Sequence, residues 1–258
     1  MTGFYDDAQI ARQLAVARTA DMRAQRARLL SALDLRPGHH VLDLGSGNGI
    51  FAGELAEIVG EAGDVTGADA APGMVAMARQ IAPAARFVEA SATDLPFPDG
   101  HFDRVTAAQV LCFVQDLPAA LSEIYRVLAP NGRVALLDSD WASCVWHSED
   151  PGLTARVMQC FTSVYADAHV ARRIVPGLAA AGFTGIDVAA HVILNRELSE
   201  DSYAGQTLAG AVDLAAADPA IGSETAARWE RVMRDTAARG EAFFSLNRYI
   251  FSALKPGT

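Results

Sequence analysis

Cysteine is scarce in this sequence of 258 residues, which contains only Cys112, Cys144 and Cys160. The count is odd and no two of them form a Cys-x-x-Cys pair, so neither a disulfide framework nor a zinc site is expected. Three free thiols are typical of a cytoplasmic protein, and we predict that localisation, without a metal cofactor.

Positive charge and long apolar runs are also limited. The 21 Lys and Arg residues against 31 Asp and Glu residues give a net charge of −10. Nucleic acid is therefore an unfavourable partner, because binding to a phosphate backbone requires clustered cations. No apolar run reaches the roughly 18 to 20 residues that cross a bilayer. Residues 1–7 lack a cationic segment followed by an apolar one, so neither a membrane span nor a signal peptide is expected.

What the sequence does contain is an alternation of β-like and helical runs. A helix-forming stretch over 8–33 comes first. Strands are then predicted over 41–44, 65–68, 86–88, 102–107 and 133–137, with helices over 50–59, 73–81 and 117–128 between them. Asp116 is the expected N-cap of the last of these helices. This spacing is typical of βαβ units, and it predicts an α/β fold with a parallel sheet covered on both faces.

The regular alternation is interrupted after residue 138. Residues 139–170 are predicted to form a loop and then a helix over 152–166, and residues 199–239 are helical with a break near Pro219 and Gly222. The pattern also predicts a helix over 171–181, a strand over 186–194 and a last strand from 243 to 251. We therefore expect one sheet domain in which two helical insertions form a cap.

The most informative segment is the hydrophobic strand Val41–Leu44, which runs directly into a glycine-rich turn ending at Gly49. Glycines there permit positive φ and a close approach of a ligand to the backbone. A turn of this kind at the carboxyl edge of a parallel sheet is where open α/β folds bind nucleotides. The dinucleotide pattern Gly-x-Gly-x-x-Gly is imperfect, because Ile50 occupies its third glycine position.

Two aspartates flank this turn and narrow the choice of ligand. Asp69 ends the second strand, 20 residues after Gly49, where a carboxylate can accept hydrogen bonds from both hydroxyls of a ribose. Asp43 immediately precedes the turn, where it would repel a pyrophosphate and attract an ammonium. Asp43 could equally be a structural carboxylate that accepts backbone N–H bonds. The pair predicts an adenosine joined to a cationic group.

Several successive blocks resemble class I S-adenosylmethionine-dependent methyltransferases, in particular the small-molecule branch of ubiquinone and menaquinone biosynthesis methyltransferases. The blocks are 43–49, 67–74, 92–97, 102–111 and 128–133. The resemblance covers roughly residues 37–140, with a looser similarity at 180–183 and 255–256. It implies a Rossmann-like, doubly wound, mostly parallel sheet of seven strands with an antiparallel last strand. In that arrangement residues 1–36 are a helical lid segment, and 37–258 are the methyltransferase domain with cap insertions at about 139–170 and 199–239.

The resemblance also implies which residues contact S-adenosylmethionine. Gly45 and Gly47 would line its methionine portion, Asp43 would orient its ammonium, and Asp69 would bind its ribose. Gln109 would lie near the ammonium or the transferable methyl group. The expected adenine contacts are Ala70, Met74, Ser91, Ala92 and Thr93, with Ser91 standing where many relatives carry Asp. Arg18 resembles an arginine that meets the cofactor carboxylate in some relatives, and Tyr5 would close the site from above.

Candidates for the methyl acceptor site follow the fourth and fifth strands. Phe113, Trp141 and Trp146 lie next to the expected cofactor edge, although aromatic residues are commonly part of the core. His147 follows Trp146 and is a candidate general base, because an unperturbed imidazole titrates near neutrality. A structural histidine is the alternative.

The predicted function is in-line methyl transfer to a small, apolar or aromatic metabolite, in which alignment does most of the work and no catalytic triad is needed. Two alternatives stay open at this point. The fold could bind the cofactor and serve as a cyclase or scaffold, or the chain could be a nicotinamide oxidoreductase. The imperfect glycine pattern and Asp43 argue against the second alternative. The oligomeric state and the methylated atom are not predicted.

Overall fold

The structure is a computed structural model that describes residues 7–257, with side chains from residue 11 onward. Two N-terminal helices, α1 (Asp7–Arg18) and α2 (Ala20–Leu33), replace the single helix predicted over 8–33. Thr19 separates them, because its backbone is extended with ψ 156° and its hydroxyl caps α2 by accepting a hydrogen bond from the Met22 N–H. The last turns of α2 are anchored, since Leu29 and Leu33 are fully buried against the sheet.

Five parallel strands form the first part of the sheet. They are β1 (His40–Leu44), β2 (Asp64–Asp69), β3 (Arg86–Glu89), β4 (Phe102–Ala108) and β5 (Leu128–Ser139). Their spatial order is β3-β2-β1-β4-β5, so the chain moves outward from β1 in one direction and then in the other. Such a reversal is the topological switch point at which open α/β sheets bind ligands, at the carboxyl ends of the strands.

The remaining strands complete the sheet in the antiparallel sense. β8 (Phe244–Leu254) pairs antiparallel with β5, and β7 (Thr184–Asn195) pairs antiparallel with the other edge of β8. The two-residue strand β6 (Val145–Trp146) pairs with β8 at residues 244 and 245. Because β7 occupies the other edge there, β6 continues the line of β5. The sheet is therefore seven strands wide although it contains eight strands, and the predicted antiparallel last strand is confirmed.

Three helices cross between the parallel strands as predicted: α3 (Ile50–Val59), α4 (Pro72–Ile81) and α5 (Leu117–Val127). Asp116 is confirmed as the N-cap of α5, accepting a hydrogen bond from the Ala119 N–H at 3.0 Å. Helices α2, α3 and α4 cover one face of the sheet, and α5 with α7 (Ala171–Ala180) covers the other. Burial on both faces explains apolar runs such as residues 134–137 of β5, which are fully buried.

The two predicted insertions pack against each other. They contain α6 (Pro151–Thr162), α8 (Tyr203–Ala217) and α9 (Ser223–Ala238). Leu153 and Val157 of α6 meet Leu208 of α8 and the fully buried Trp229 of α9 in a separate apolar cluster. The Trp229 indole N–H donates to Thr154 Oγ1 at 3.0 Å, which satisfies its one buried donor. These contacts build a helical layer above the carboxyl end of the sheet.

None of the helices described over residues 7–257 is long and apolar enough to cross a membrane.

Candidate functional site

The glycine-rich turn after β1 is tied to the end of β2 by three backbone N–H groups. The Gly45 and Ser46 N–H groups both donate to the Ala68 carbonyl, at 2.7 and 3.1 Å, and the Gly47 N–H donates to Asp69 Oδ2 at 2.8 Å. Phosphate-binding turns instead direct such N–H groups at the ligand. The turn is therefore poorly suited to a pyrophosphate, which weighs against the nicotinamide alternative.

Gly45 has φ 68° and Gly47 has φ 51°, values that residues with a Cβ rarely adopt. A Cβ on Gly45 would come within 2.2 Å of a methyl group of Val110, so the turn also packs directly on the loop after β4. A Cβ on Gly47 would meet only the Gly45 carbonyl, at 4.0 Å. The turn is thus held on one side and accessible on the other, which suits a ligand lying along its backbone.

Asp43 is buried at the end of β1 beside this turn, with 2% of its surface exposed. Within the described chain, its Oδ2 atom has no hydrogen-bond partner, and neither has the buried hydroxyl of Ser46. Burial, together with the negative charges of Asp69 and Glu54, raises the pKa of Asp43 to about 8. An unpartnered acceptor among three carboxylates is complementary to a cationic donor such as an ammonium. These residues therefore fit the methionine end of S-adenosylmethionine.

Asp69 lies at the carboxyl end of β2, partly exposed. Its Oδ2 accepts from Gly47 N–H, and its Oδ1 accepts from the Ala71 N–H at 2.9 Å. Each carboxylate oxygen has a second lone-pair direction, so both can still accept from a ribose hydroxyl. The same contacts fix the carboxylate's orientation relative to the turn.

A shallow groove of about 430 Å³ lies next to Asp69. Its lining residues are Ala70, Glu89, Ala90, Ser91, Asp94 and Pro96. Ser91 and Thr93 bond to each other through their hydroxyls at 2.8 Å, while Ala92 and the buried Met74 lie on the core side. Of the predicted adenine contacts, Ala70 and Ser91 thus line one groove, and Ala92 and Thr93 follow Ser91 directly in the chain. The groove also contains two carboxylates to which the sequence assigned no role: Glu89 lies outside the matched blocks, and Asp94 lies within the block 92–97.

Gln109, immediately after β4, has a left-handed backbone with φ 59°. Residues other than glycine adopt this backbone conformation at a cost in free energy, and backbone strain of this kind is concentrated at functional sites. Its amide is fixed at both ends: Nε2 donates to Asp138 Oδ1 at 3.3 Å, and Oε1 accepts from the Ser139 hydroxyl at 2.8 Å. The structure therefore holds Gln109 at the carboxyl edge between the turn after β1 and the end of β5.

Asp138, which holds Gln109, is itself buried, with 1% exposed. Its Oδ2 accepts from the Leu111 N–H at 3.0 Å. Burial raises the pKa of Asp138 to about 7, and hydrogen bonding by the Cys112 thiol and the Leu111 N–H limits that rise. This second buried carboxyl had no motif to mark it, because Leu136-Leu137-Asp138 looks like an ordinary strand end.

The aromatic candidates separate into two groups. Trp141 is buried and stacks on Tyr165 at 5.5 Å, and Phe113, which is 48% exposed, contacts the same tyrosine at 5.0 Å. Trp146 lies in β6 and packs on Phe244 at 4.5 Å. Trp141 and Phe113 therefore lie directly after β5 and β4 at the site's edge, whereas Trp146 belongs to the contact between sheet and cap.

The structure does not bring His147 or Arg18 to this edge. His147 is exposed and its N–H donates to the Phe243 carbonyl, about 17 Å along β8 from the residue paired with Ser139. Arg18 is exposed at the end of α1, and Tyr5 lies outside the described residues. Arg26 in α2 is buried instead, and its Nε donates to Glu54 at 2.9 Å. Its spacing with Met22, Leu29 and Leu33 could have identified it as facing inward.

Comparisons with known proteins agree with this geometry. Residues 42–136 match the family model described as "Methyltransferase domain". A demethylmenaquinone methyltransferase from Thermus thermophilus is 46% identical over 123 residues, which cover 46% of this chain and 55% of that protein. A ubiquinone/menaquinone biosynthesis C-methyltransferase from Psychromonas ingrahamii is 41% identical over 110 residues, 40% of this chain and 44% of that protein. The chain thus spans about half the length of the curated relatives it matches.

A solved structure shows the fold over a longer range. The phosphoethanolamine N-methyltransferase 2 of Haemonchus contortus, in complex with S-adenosylhomocysteine, superposes with a TM-score of 0.62 at 19% identity. The alignment covers 98% of this chain and 58% of that one. At this identity the likeness concerns the fold alone. Residues 42–136 are therefore similar in sequence to a methyltransferase domain and to the ubiquinone and menaquinone methyltransferases, and the fold extends this likeness over most of the chain.

Proposed function

We propose that this chain is an S-adenosylmethionine-dependent methyltransferase whose acceptor is a small, apolar or aromatic metabolite of the quinone type. The observation that carries the proposal is Asp43, a buried carboxyl with an unpartnered oxygen beside a turn whose N–H groups are already bonded. That combination favours a cationic amino-acid end over a phosphate.

The proposed cofactor contacts follow the strand ends. Asp43 binds the ammonium, the turn at Gly45 and Gly47 lies along the methionine chain, and Asp69 binds the ribose. The adenine lies in the groove formed with Ala70, Met74, Ser91, Ala92 and Thr93. S-adenosylmethionine supplies an electrophilic methyl carbon whose bond to sulfur breaks, leaving a neutral thioether, as an acceptor atom donates the electron pair of the new bond.

The chain's own contribution is alignment and exclusion of water. Gln109, held by Asp138 and Ser139, lies between the cofactor contacts and the aromatic residues Trp141 and Phe113. Holding two reactants at attack distance lowers a barrier by roughly 7 to 11 kcal/mol. The helical layer of α6, α8 and α9 would shield the reaction from water, with 139–170 and 199–239 as the acceptor cap. Of the expected lid 1–36, α2 is packed on the sheet, so α1 is the described part that remains for this role.

The nature of the acceptor rests on two arguments. The relatives are named for methylation of demethylmenaquinone and of ubiquinone or menaquinone precursors. The residues that follow β4 and β5 are aromatic and stack around Tyr165, which suits a flat apolar ring. His147 stays a candidate base only if the cap rearranges, because its present position is distant from Gln109.

Calorimetric titration with S-adenosylhomocysteine tests the cofactor site. Native protein is expected to bind it, and Asp69→Asn is expected to weaken binding at least tenfold because the amide has one acceptor oxygen in place of two. Asp64→Asn is the matched control, since Asp64 lies at the opposite end of the same strand. Unchanged affinity in Asp69→Asn, or tighter binding of NADH, would contradict the proposal.

Turnover separates an enzyme from a scaffold or a cyclase of the same fold. Native protein is incubated with S-adenosylmethionine labelled on its methyl group and with a reduced naphthoquinone. Label transferred to the ring product supports the proposal. Tight cofactor binding without label transfer to any component of an added metabolite extract would favour the scaffold.

A further inference from the structure

Arg248, in the middle of β8, is buried with only 1% of its surface exposed. Its Nη1 donates to Gln25 Oε1 and contacts the Met22 sulfur at 3.2 Å. The guanidinium lies over the ring of Tyr203, 4.4 Å from its centroid. Within residues 11–257 its Nε has no acceptor at all. The contacts of this buried cation are therefore neutral, and one of its donors is unused.

Such an arrangement is costly unless something supplies the missing charge. Removing a cation from water is compensated only by an anion or by full hydrogen bonding. The buried carboxyl of Asp138 is near enough for the charge of Arg248 to lower its pKa, but the two groups form no ion pair or hydrogen bond in the described structure, and Arg248 Nε stays without an acceptor there. A hydrophobic residue would fill the same place in β8 at lower cost. The presence of the Arg248 charge in this buried position is therefore explained if a ligand brings an anionic oxygen to the guanidinium.

The position of Arg248 connects it to the proposed reaction site. Across the sheet it pairs with Ser139 of β5, whose hydroxyl donates to Gln109 Oε1. Residues paired in an antiparallel ladder have Cα atoms about 4.5 to 5.5 Å apart. Arg248 is thus separated by β5 from Gln109, which the resemblance places near the ammonium or the transferable methyl group. His191 pairs with it on the other side, and the buried Nε2 of His191 also has no partner in the described chain.

The surroundings of Arg248 indicate the shape of the ligand. Tyr203 and Phe244 have ring centroids 6.0 Å apart, and both belong to the same cluster as Trp141. The indole N–H of Trp141 is a second buried donor without an acceptor in the described residues. One cation and one neutral donor among flat rings suit a planar molecule with a single negative charge.

We propose that Arg248 binds an ionised oxygen on the ring of the methyl acceptor and thereby selects a hydroxylated aromatic ring in its deprotonated form. This assignment rests on the proposed function, since it takes the carboxyl ends of β4 and β5 as the methyl acceptor site. Trp141 is assigned a second hydrogen bond to the same ring. Arg248 is then a residue that determines specificity.

Binding of two ring compounds to the whole chain, with S-adenosylhomocysteine at saturation, tests the assignment. The first is 2-hydroxy-1,4-naphthoquinone, which is ionised at neutral pH, and the second is its neutral methyl ether. Native protein is expected to bind the ionised compound at least tenfold more tightly. Arg248→Met should remove this preference, and Arg248→Lys should keep part of it because the charge remains. Arg133→Met, at the far end of the β5–β8 ladder, is the control and should behave as native.

The outcomes separate this assignment from the proposed function. Equal binding of the two compounds by native protein, including no binding of either, overturns the role of Arg248. So does an undiminished preference in Arg248→Met, provided that its circular dichroism and its S-adenosylhomocysteine affinity match those of native protein. 2-Naphthoate, whose negative charge is on a carboxylate and not on a ring oxygen, is tested in parallel. If native protein binds 2-naphthoate but not 2-hydroxy-1,4-naphthoquinone, the assignment to a ring oxygen is overturned. If S-adenosylhomocysteine does not bind, but native protein without it still prefers the ionised compound over the methyl ether, the proposed function is overturned while the role of Arg248 as an anion site is retained.

Discussion

Binding of the cofactor should release a proton from Asp43. In the described structure burial raises the pKa of this carboxyl to about 8, so at pH 7 about nine-tenths of the molecules carry the proton. An ammonium next to Oδ2 favours the ionised form and expels that proton. Because only the ionised form binds well, the affinity should fall about tenfold for each pH unit below 8, which is about 1.4 kcal/mol per unit.

Calorimetry in phosphate and in Tris at pH 7 measures this release, because the two buffers differ in the heat of taking up a proton. About 0.9 proton per bound S-adenosylhomocysteine is expected from the populations above. Asp43→Asn should bind weakly, with an affinity that does not change between pH 6 and 7. Asp103→Asn, at the start of β4 and away from the site, should retain the native dependence. The reasoning is refuted if native protein binds equally well at pH 6 and pH 7 with the same heat in both buffers.

Three further predictions concern stability and are measured by urea unfolding. Gly45→Ala should lower the free energy of unfolding by about 1 to 3 kcal/mol or more, because position 45 has a positive φ and the new Cβ would lie 2.2 Å from a valine methyl group. Gly73→Ala should be neutral or stabilising, because a Cβ there meets nothing within 4 Å. Equal effects would contradict the turn geometry. Native protein should lose stability as the pH rises from 4 to 7, because folding raises the pKa of the Asp138 carboxyl to about 7 and so opposes its ionisation over that range. Asp138→Asn should reduce this dependence on pH. Parallel curves of stability against pH for the two proteins would contradict the prediction. Thr154→Val should cost about 1 to 3 kcal/mol by leaving the Trp229 N–H without its acceptor, whereas Thr154→Ser should retain most of the stability, and a similar loss in both would show that the hydrogen bond is unimportant.

The parallel half of the sheet could be predicted from sequence because its determinants are local. Each strand from β1 to β5 contains apolar or β-branched residues close to turn residues, and each crossover helix lies within 40 residues of the strands it connects. The aspartates at positions 43 and 69 were predictable for the same reason, since a strand end next to a glycine turn is visible in the sequence. Only the roles of these residues needed the resemblance.

The cap and the buried polar groups depend on contacts between distant residues. Trp146 was expected in a loop, but it forms a strand because Phe244, almost a hundred residues later, offers an unpaired edge. Arg248 lies on the same face of β8 as the buried Leu246 and Ile250, so its position in the strand indicates burial although its charge indicates exposure; α2 and α8 cover that face and decide the outcome. Periodicity identifies which face of a strand a residue occupies, but it does not show whether another element covers that face.

The two ends of the proposed site have opposite unsatisfied groups. At the turn after β1 the unpartnered atom is an acceptor, Asp43 Oδ2, and near β8 the unpartnered atoms are donors, on Trp141 and Arg248. A cationic methyl donor and an anionic ring would each meet the complementary group, with Gln109 between them. Transfer of a methyl group from a sulfonium to such an anion cancels both charges, and opposite charges attract more strongly where water is excluded. A dry, enclosed site therefore favours the transfer itself, and this gives the helical layer over the sheet a role in the reaction beyond shielding it.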